Sequence, residues 1–208
     1  MEFMRYDSPV RAPQGLAWDG TRLWVASCAT NRMSAIDPAT LAITHEVTPP
    51  GEPFGITAVP GGLRVVVGFG EDADDRYIMR YTADAGFSEE RIACPNLSGS
   101  FLAFDGHSLW LSQAWDMQLL QLNERGEVVR AVALERRPVG MTFARERLYL
   151  LTVDDEWGDA RFGALDVDAE RPVPEVLCAI PFEARSVAFD GRSFWIADRE
   201  GDGLIAIR

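Results

Sequence analysis

Arg185 and Asp198 are the residues whose types and positions most suggest chemistry in this chain. In a five-fold internal repeat, Ser27, Val67, Gln113, Thr152 and Asp198 occupy one column, and Asp198 is its single carboxylate. Gln14, Phe54, Ser100, Val139 and Arg185 occupy a second column, where Arg185 is the single cation. A carboxylate and a guanidinium half-buried at one mouth could orient a polar substrate, with Asp198 as general acid or base. A plain ion pair joining two strands is the competing reading. Gln14 and Gln113 would hold the substrate beside Arg185. Trp115 and Trp157 do not recur in the repeat and fall in loops, where an indole offers a flat wall to a ligand or a cation. Phe54 shares the column of Gln14 and joins the candidate binding residues.

Other chemistry-bearing residues are dispersed. Glu71-Asp-Ala-Asp-Asp75, Asp154-Asp-Glu-Trp-Gly-Asp159 and Asp198-Arg-Glu-Gly-Asp-Gly203 are acidic loops of the kind that can supply oxygen ligands to calcium. None matches a full calcium-loop spacing, so the cofactor is left unassigned, with a divalent cation permitted and no metal ligand named. Cys28, Cys94, Cys178, His45 and His107 are too scattered for a zinc site. Cys94 and Cys178 read as small packed thiols of outer strands, and Cys28 ends a strand near the mouth with no histidine to activate it. His45 falls on an outer strand and His107 in a hairpin on the opposite face.

These residues depend on the repeat for their placement. Gly15-Leu-Ala-Trp-Asp-Gly-Thr-Arg-Leu-Trp24 is echoed by Phe101-Leu-Ala-Phe-Asp-Gly-His-Ser-Leu-Trp110 and by Ser186-Val-Ala-Phe-Asp-Gly-Arg-Ser-Phe-Trp195. Weaker copies begin at Gly55 and Gly140, and all five align without a gap. Large-small-large alternation followed by Asp-Gly marks a strand that enters a tight hairpin. Further strands are predicted over residues 32–36 and 41–47 of the first unit and over 118–122 and 127–134 of the third. Four strands in about 40 residues make a propeller blade. The copies start 40, 46, 39 and 46 residues apart. Only three strands fit after Ser186, so residues 1–8 are expected to supply the fourth. The predicted fold is therefore an all-β, five-bladed β-propeller of four-stranded antiparallel blades. Its blades cover residues 15–54, 55–100, 101–139, 140–185, and 186–208 with 1–14, and the N-terminal strand closes the last. Closure removes an exposed sheet edge.

The stretch Pro13-Gln-Gly-Leu-Ala-Trp-Asp-Gly-Thr-Arg-Leu-Trp-Val-Ala-Ser27, followed by Ser34-Ala-Ile-Asp-Pro-Ala-Thr40, resembles the repeats of small propeller families. These are the glutaminyl cyclases of plant and bacterial type and the virginiamycin B lyase-like proteins. The resemblance runs through the whole chain as a repeat. Five blades favour the cyclase type over the seven-bladed lyase type, and Gln14-Gly15-Leu16 matches the cyclases' opening motif. Where those cyclases carry glutamates before the inner strands of later blades, this chain has Gly55, Ser100, Val139 and Ser186. His45 and His107 do not reproduce the histidine pair of a lyase site. The resemblance thus implies the fold and points to cyclotransferase chemistry without supplying a catalytic residue.

Composition narrows the function classes. The 208 residues carry a net charge of −12, and all 20 basic residues are arginine. The absence of lysine fits a GC-rich genome and excludes a lysine Schiff base. The negative balance argues against nucleic acid and against an anionic membrane surface. No apolar run is long enough to span a bilayer, and no secretory signal is read at residues 1–10, so a cytoplasmic protein is expected. The loops joining second to third strands (27–32, 68–76, 112–117, 152–161 and 197–203) hold 12 acids against 4 arginines, which predicts an acidic mouth face. The expected function is binding of a small polar molecule at the channel mouth, with cyclisation, elimination or isomerisation as the reaction if the protein is an enzyme. The alternative is a non-catalytic interaction scaffold or ligand sensor. Oligomeric state is left open.

Overall fold

The computed structural model describes residues 1–208 and contains five four-stranded antiparallel sheets. Strand β1 (Phe3–Asp7) stands apart from its sheet in sequence. The first full sheet is β2 (Gly15–Trp18), β3 (Leu23–Ser27), β4 (Arg32–Ile36) and β5 (Ile43–Val47). The second is β6 (Glu52–Val59), β7 (Gly62–Phe69), β8 (Asp75–Thr82) and β9 (Gly86–Ala93). The third is β10 (Leu102–Phe104), β11 (Leu109–Gln113), β12 (Gln118–Leu122) and β13 (Val128–Ala133), and the fourth is β14 (Arg137–Ala144), β15 (Arg147–Val153), β16 (Ala160–Leu165) and β17 (Glu175–Ile180). The fifth runs β18 (Ala184–Phe189), β19 (Phe194–Asp198), β20 (Gly203–Ile207) and then β1. Each innermost strand touches the next around a ring, β2 to β6 to β10 to β14 to β18 and back to β2. This is a five-bladed β-propeller closed by its N-terminal strand. No helix is long and apolar enough to cross a membrane.

The core lies between blades, because each sheet has two faces and each face needs a neighbour. Trp24 packs on Tyr81 of the second blade, and Trp110 lies 6.0 Å from Phe143 of the fourth. Tyr149 lies 4.5 Å from Phe194, which joins blades four and five. The channel face narrows where Gly15, Gly55 and Gly140 let one inner strand meet the backbone of the next.

One side-chain device recurs three times. Asp19, Asp105 and Asp190 each start an Asp-Gly hairpin whose glycine has positive φ (+100°, +100° and +92°) at the first central position. Each aspartate accepts the backbone amides two and three residues on, and its second oxygen accepts the indole N–H five residues on, at 2.8 Å in all three cases. The aspartate therefore fixes both the turn and the interblade tryptophan. Burial alone would raise the Asp19 carboxyl, but donors from Trp24, Arg22 and Thr21 outweigh it and hold it below its ordinary value. Asp105 is lowered likewise, with burial opposed by Ser108, Trp110 and His107.

Closure uses several bonds besides the strand pairing of Phe3↔Ile207 through Asp7↔Gly203. Arg5 donates to Asp198 Oδ2 at 2.5 Å and to the Gly201 carbonyl at 2.7 Å. Ala12 N–H donates to Asp202 Oδ1 at 2.6 Å, and Leu16 N–H donates to Ser186 Oγ at 2.9 Å.

Replacing Asp19, Asp105 or Asp190 by alanine should lower the unfolding free energy by roughly 1.5–3 kcal/mol each, the range for hydrogen bonds to charged groups, as read by urea denaturation. Asp19 and Asp105 titrate lower folded than unfolded, so their contribution is full above the unfolded value near 3.8 and is lost as pH falls through the folded values. The urea midpoint should therefore drop in acid, less steeply for the Asp19→Asn/Asp105→Asn double variant.

Candidate functional site

The channel mouth is a cavity of about 380 Å3 lined by one residue from just before or at the start of every inner strand: Gln14, Phe54, Ser100, Val139 and Arg185. Arg76, Arg199, Trp115 and Trp157 line it with Phe101 and Ala114, and no carboxylate does. Arg185 is buried, donates to the Ala184 carbonyl at 2.9 Å and pairs with Glu183 at 2.7 Å. Arg76 lies over the Phe54 ring at 3.4 Å and donates to the carbonyls of Ala73 and Gly99. Burial lowers the affinity of both guanidiniums for their protons, for Arg185 against the opposing pull of Glu183. Gln14 is 93% buried by its 7% exposure, makes no side-chain hydrogen bond, and leaves Oε1 without a partner.

The aromatic wall is held in place by its loop. Trp157 has φ +65°, a conformation costly for a bulky residue. Asp154 maintains it by accepting Trp157 N–H at its carbonyl and Gly158 N–H at Oδ1. Trp115 is 69% exposed and meets Trp157 edge-on, with ring centroids 5.1 Å apart. Arg137 lies within 5.0 Å and 5.4 Å of the two indole centroids.

Several sequence expectations need correction. Asp198 does not face Arg185. It is 4% exposed, bound by Arg5 and by the Gly201 amide, and it lies outside the mouth cavity. The register explains this: Asp198 pairs with Gly203 on β20, beside Asp7 of β1, so its side chain meets the incoming N-terminal strand. Gln113 is also turned away. Its Nε2 donates to the carbonyls of Pro95 and Ser98, both at 2.8 Å, and its Oε1 accepts from Gln118 at 2.6 Å, bracing the loop ahead of β10. Gln14, Phe54, Arg185, Trp115 and Trp157 do meet at the mouth.

The predicted acidic face divides in two. Acids of the long loops stand around the rim and bind arginines or amides: Asp155 meets Arg137, Asp159 meets Arg136 and Arg161, and Asp202 takes the Ala12 amide. Arg161 first, then Arg136, hold the Asp159 carboxyl below its usual range. Two of the four loop arginines, Arg76 and Arg199, turn inward, while Arg161 stays on the rim and Arg32 pairs with Glu46 of the outer strand. No three His, Cys, Asp or Glu side chains converge on a point that would hold a metal ion.

Glu183 falls outside the gap-free repeat, which begins at Ser186, and so escapes alignment. Burial pushes its carboxyl up, Arg185 opposes this, and Glu200 within hydrogen-bonding reach adds to it. Glu183 and Glu200 line a larger, more lateral cavity of about 630 Å3, which shares Trp157 and Arg185 with the mouth. The axial cavity is the better site despite its smaller size, because all five blades contribute to it and it contains the unpaired Gln14. Cys28 donates to the Pro53 carbonyl at 3.0 Å, and burial, helped by Glu52, pushes its thiol up to about 12. His45 bonds Tyr81 on the outer rim at 2.7 Å.

No protein-family model and no curated protein matches the chain. Solved structures do. A glutaminyl cyclase from Myxococcus xanthus is 11% identical over 99% of this chain and 94% of its own, with a TM-score of 0.75. The PQQ-bound aldose sugar dehydrogenase of Streptomyces coelicolor is 15% identical over 99% and 97%, with a TM-score of 0.60. A streptogramin B lyase is 14% identical over 99% and 96%, with a TM-score of 0.54. The likeness is one of fold. It bears out the resemblance to cyclase-type and lyase-type propellers at that level, among neighbours that include enzymes of unrelated chemistry.

Arg5→Ala should lower stability by roughly 1–3 kcal/mol, the cost of leaving a buried acceptor unsatisfied, measured as a drop in urea midpoint. Iodoacetamide should label Cys28 at pH 8 much more slowly in the folded protein than in the urea-unfolded chain, because its thiolate is scarce.

Proposed function

We propose that this propeller binds a small polar molecule at its axial mouth. The observation that carries the reading is Gln14, a buried amide without a hydrogen-bond partner in a cavity to which every blade contributes. A buried polar group left unpaired is costly, and a ligand can supply its partner. The aromatic walls and the guanidiniums give orientation, the usual division of labour in a small-molecule site.

A catalytic reading is favoured by one further observation. Glu183 adjoins Arg185, and its carboxyl is held protonated to higher pH than an ordinary glutamate by burial and by Glu200. A carboxyl raised in this way, beside a guanidinium that holds substrate, is a candidate for proton transfer. Glu183 lines the lateral cavity that shares Arg185 and Trp157 with the mouth, so in the catalytic reading a substrate held by Arg185 extends toward it, and Glu183, rather than Asp198, is the proton carrier of an isomerisation, elimination or cyclisation. The same site without turnover is a ligand sensor. Glutaminyl cyclase among the fold neighbours makes N-terminal-glutamine peptides natural test substrates.

A thermal-shift panel of metabolites, amines, divalent metals and N-terminal-glutamine peptides tests the binding. A true ligand at a hundredfold excess over Kd should stabilise by about 2.7 kcal/mol, which for a chain of this size is about 5–10 °C in midpoint. Gln14→Leu and Arg185→Gln should abolish the shift. A shift that both variants retain would place the ligand elsewhere. Among compounds that shift the midpoint, turnover lost in Glu183→Gln but kept in Asp198→Asn would identify the proton carrier.

A further inference from the structure

The mouth's charge runs against that of the chain. The protein carries −12 overall, yet three guanidiniums and no carboxylate line this cavity. Only one of the three, Arg185, has an acidic partner. Arg76 is braced by two carbonyl oxygens and the Phe54 ring, and Arg199 makes no side-chain hydrogen bond or ion pair. Neither Arg76 nor Arg199 has a carboxylate at ion-pair distance, although Asp74 and Glu52 act on Arg76, and Glu183 on Arg199, from farther away. The exposed Arg199 repels the buried Arg185, and burial strips Arg185 and Arg76 of water, so an anion relieves both the repulsion and the lost hydration. Their planar donors match the oxygens of a carboxylate or a phosphate. Gln14 is a second, independent sign of a ligand, as a polar side chain over nine-tenths buried with no partner of its own; its free Oε1 is an acceptor and calls for an N–H or O–H donor on the ligand in addition to the anionic group.

The apolar side of the cavity adds a second requirement. Trp115 is exposed over most of its surface beside Trp157. A ligand body that covers this pair removes aromatic surface from water, which a bare inorganic ion cannot do.

We infer that the ligand of the mouth is a small organic anion, a carboxylate or a phosphate ester, with a flat apolar body that rests on Trp115, anionic oxygens that meet Arg185 and Arg199, and a hydroxyl or amine donor for Gln14 Oε1. This rests on the reading of the mouth as a small-molecule site and specifies its ligand class.

Isothermal titration of the full chain with matched probes tests it: benzoate, phenyl phosphate, benzamide, benzylamine and inorganic phosphate. Benzoate or phenyl phosphate should bind, and benzamide and benzylamine should bind at least about tenfold more weakly, the factor expected from one charge-assisted contact. Arg199→Gln should weaken the anion by about tenfold on the same grounds. Arg199 has no structural partner, so its loss should leave folding intact, and circular dichroism checks this. Trp115→Leu should weaken phenyl phosphate, and Arg125→Gln, in the turn after β12, should change nothing. Binding of benzamide or benzylamine in preference to the anions would overturn the anion inference while leaving a small-molecule mouth in place. Inorganic phosphate binding as tightly as phenyl phosphate would overturn the apolar body. Anion binding unchanged by Arg199→Gln and Arg185→Gln would remove it from this cavity. Binding by none of the probes would overturn the inference, and the thermal-shift panel then decides separately whether the mouth binds anything small.

Discussion

The structure depends on the pairing of β1 with β20. Five blades arranged around an axis form a ring only if the last blade meets the first, and here the first strand of the chain is the outer strand of the last blade. Without that pairing, β20 would present a bare edge and the interface between blades five and one would lose its partner. Asp198 and Arg5 strengthen the joint by placing a buried carboxylate against an incoming guanidinium. The same joint brings the Leu16 amide to Ser186, so the inner strands of blades one and five are tied at the axis as well as at the rim. The mouth exists because this ring holds five strand starts at a common height.

Charge is sorted by that geometry. The loops around the mouth are acidic in sequence, but none of their acids lines the axial cavity, and Asp155, Asp159 and Asp202 reach sideways to arginines and a backbone amide. Arginine is long enough to reach inward from the same loops, so Arg76 and Arg199 line the cavity while Asp72, Asp75 and Asp202 do not. An acidic rim thus surrounds a basic well. The Trp115–Trp157 pair sits at the boundary, with Arg137 beside both rings and Asp155 beside Arg137, which links the rim to the wall by one chain of contacts.

The opposite end of the channel shows how repetition differs from function. Asp19, Asp105 and Asp190 repeat the same bond to a tryptophan five residues on, and they serve packing. In blades two and four the turn is made without that aspartate, by Pro60-Gly61 and Arg145-Glu146, and no such clamp forms. At the mouth the side chains do not repeat: Gln14, Phe54, Ser100, Val139 and Arg185 share a position and are five different residue types.

The sequence by itself determined the blades, their number and the closing strand. Large-small-large columns and Asp-Gly hairpins are local signals, set by strand alternation and turn geometry within about ten residues. It also determined which column would reach the mouth, so Gln14, Phe54 and Arg185 were legible from alignment, and Trp115 and Trp157 from their failure to recur. Side-chain direction and partner choice were decided by the tertiary structure. Asp198 and Gln113 occupy a mouth-proximal column, but Arg5 lies 193 positions from Asp198, and the carbonyls that hold Gln113 belong to a turn in the preceding loop. Glu183 became visible only when β18 was seen to begin at Ala184, two residues ahead of the repeat. The inversion of charge between rim and well has the same origin: a loop's composition counts its charges, and only the folded ring decides which of them face the axis.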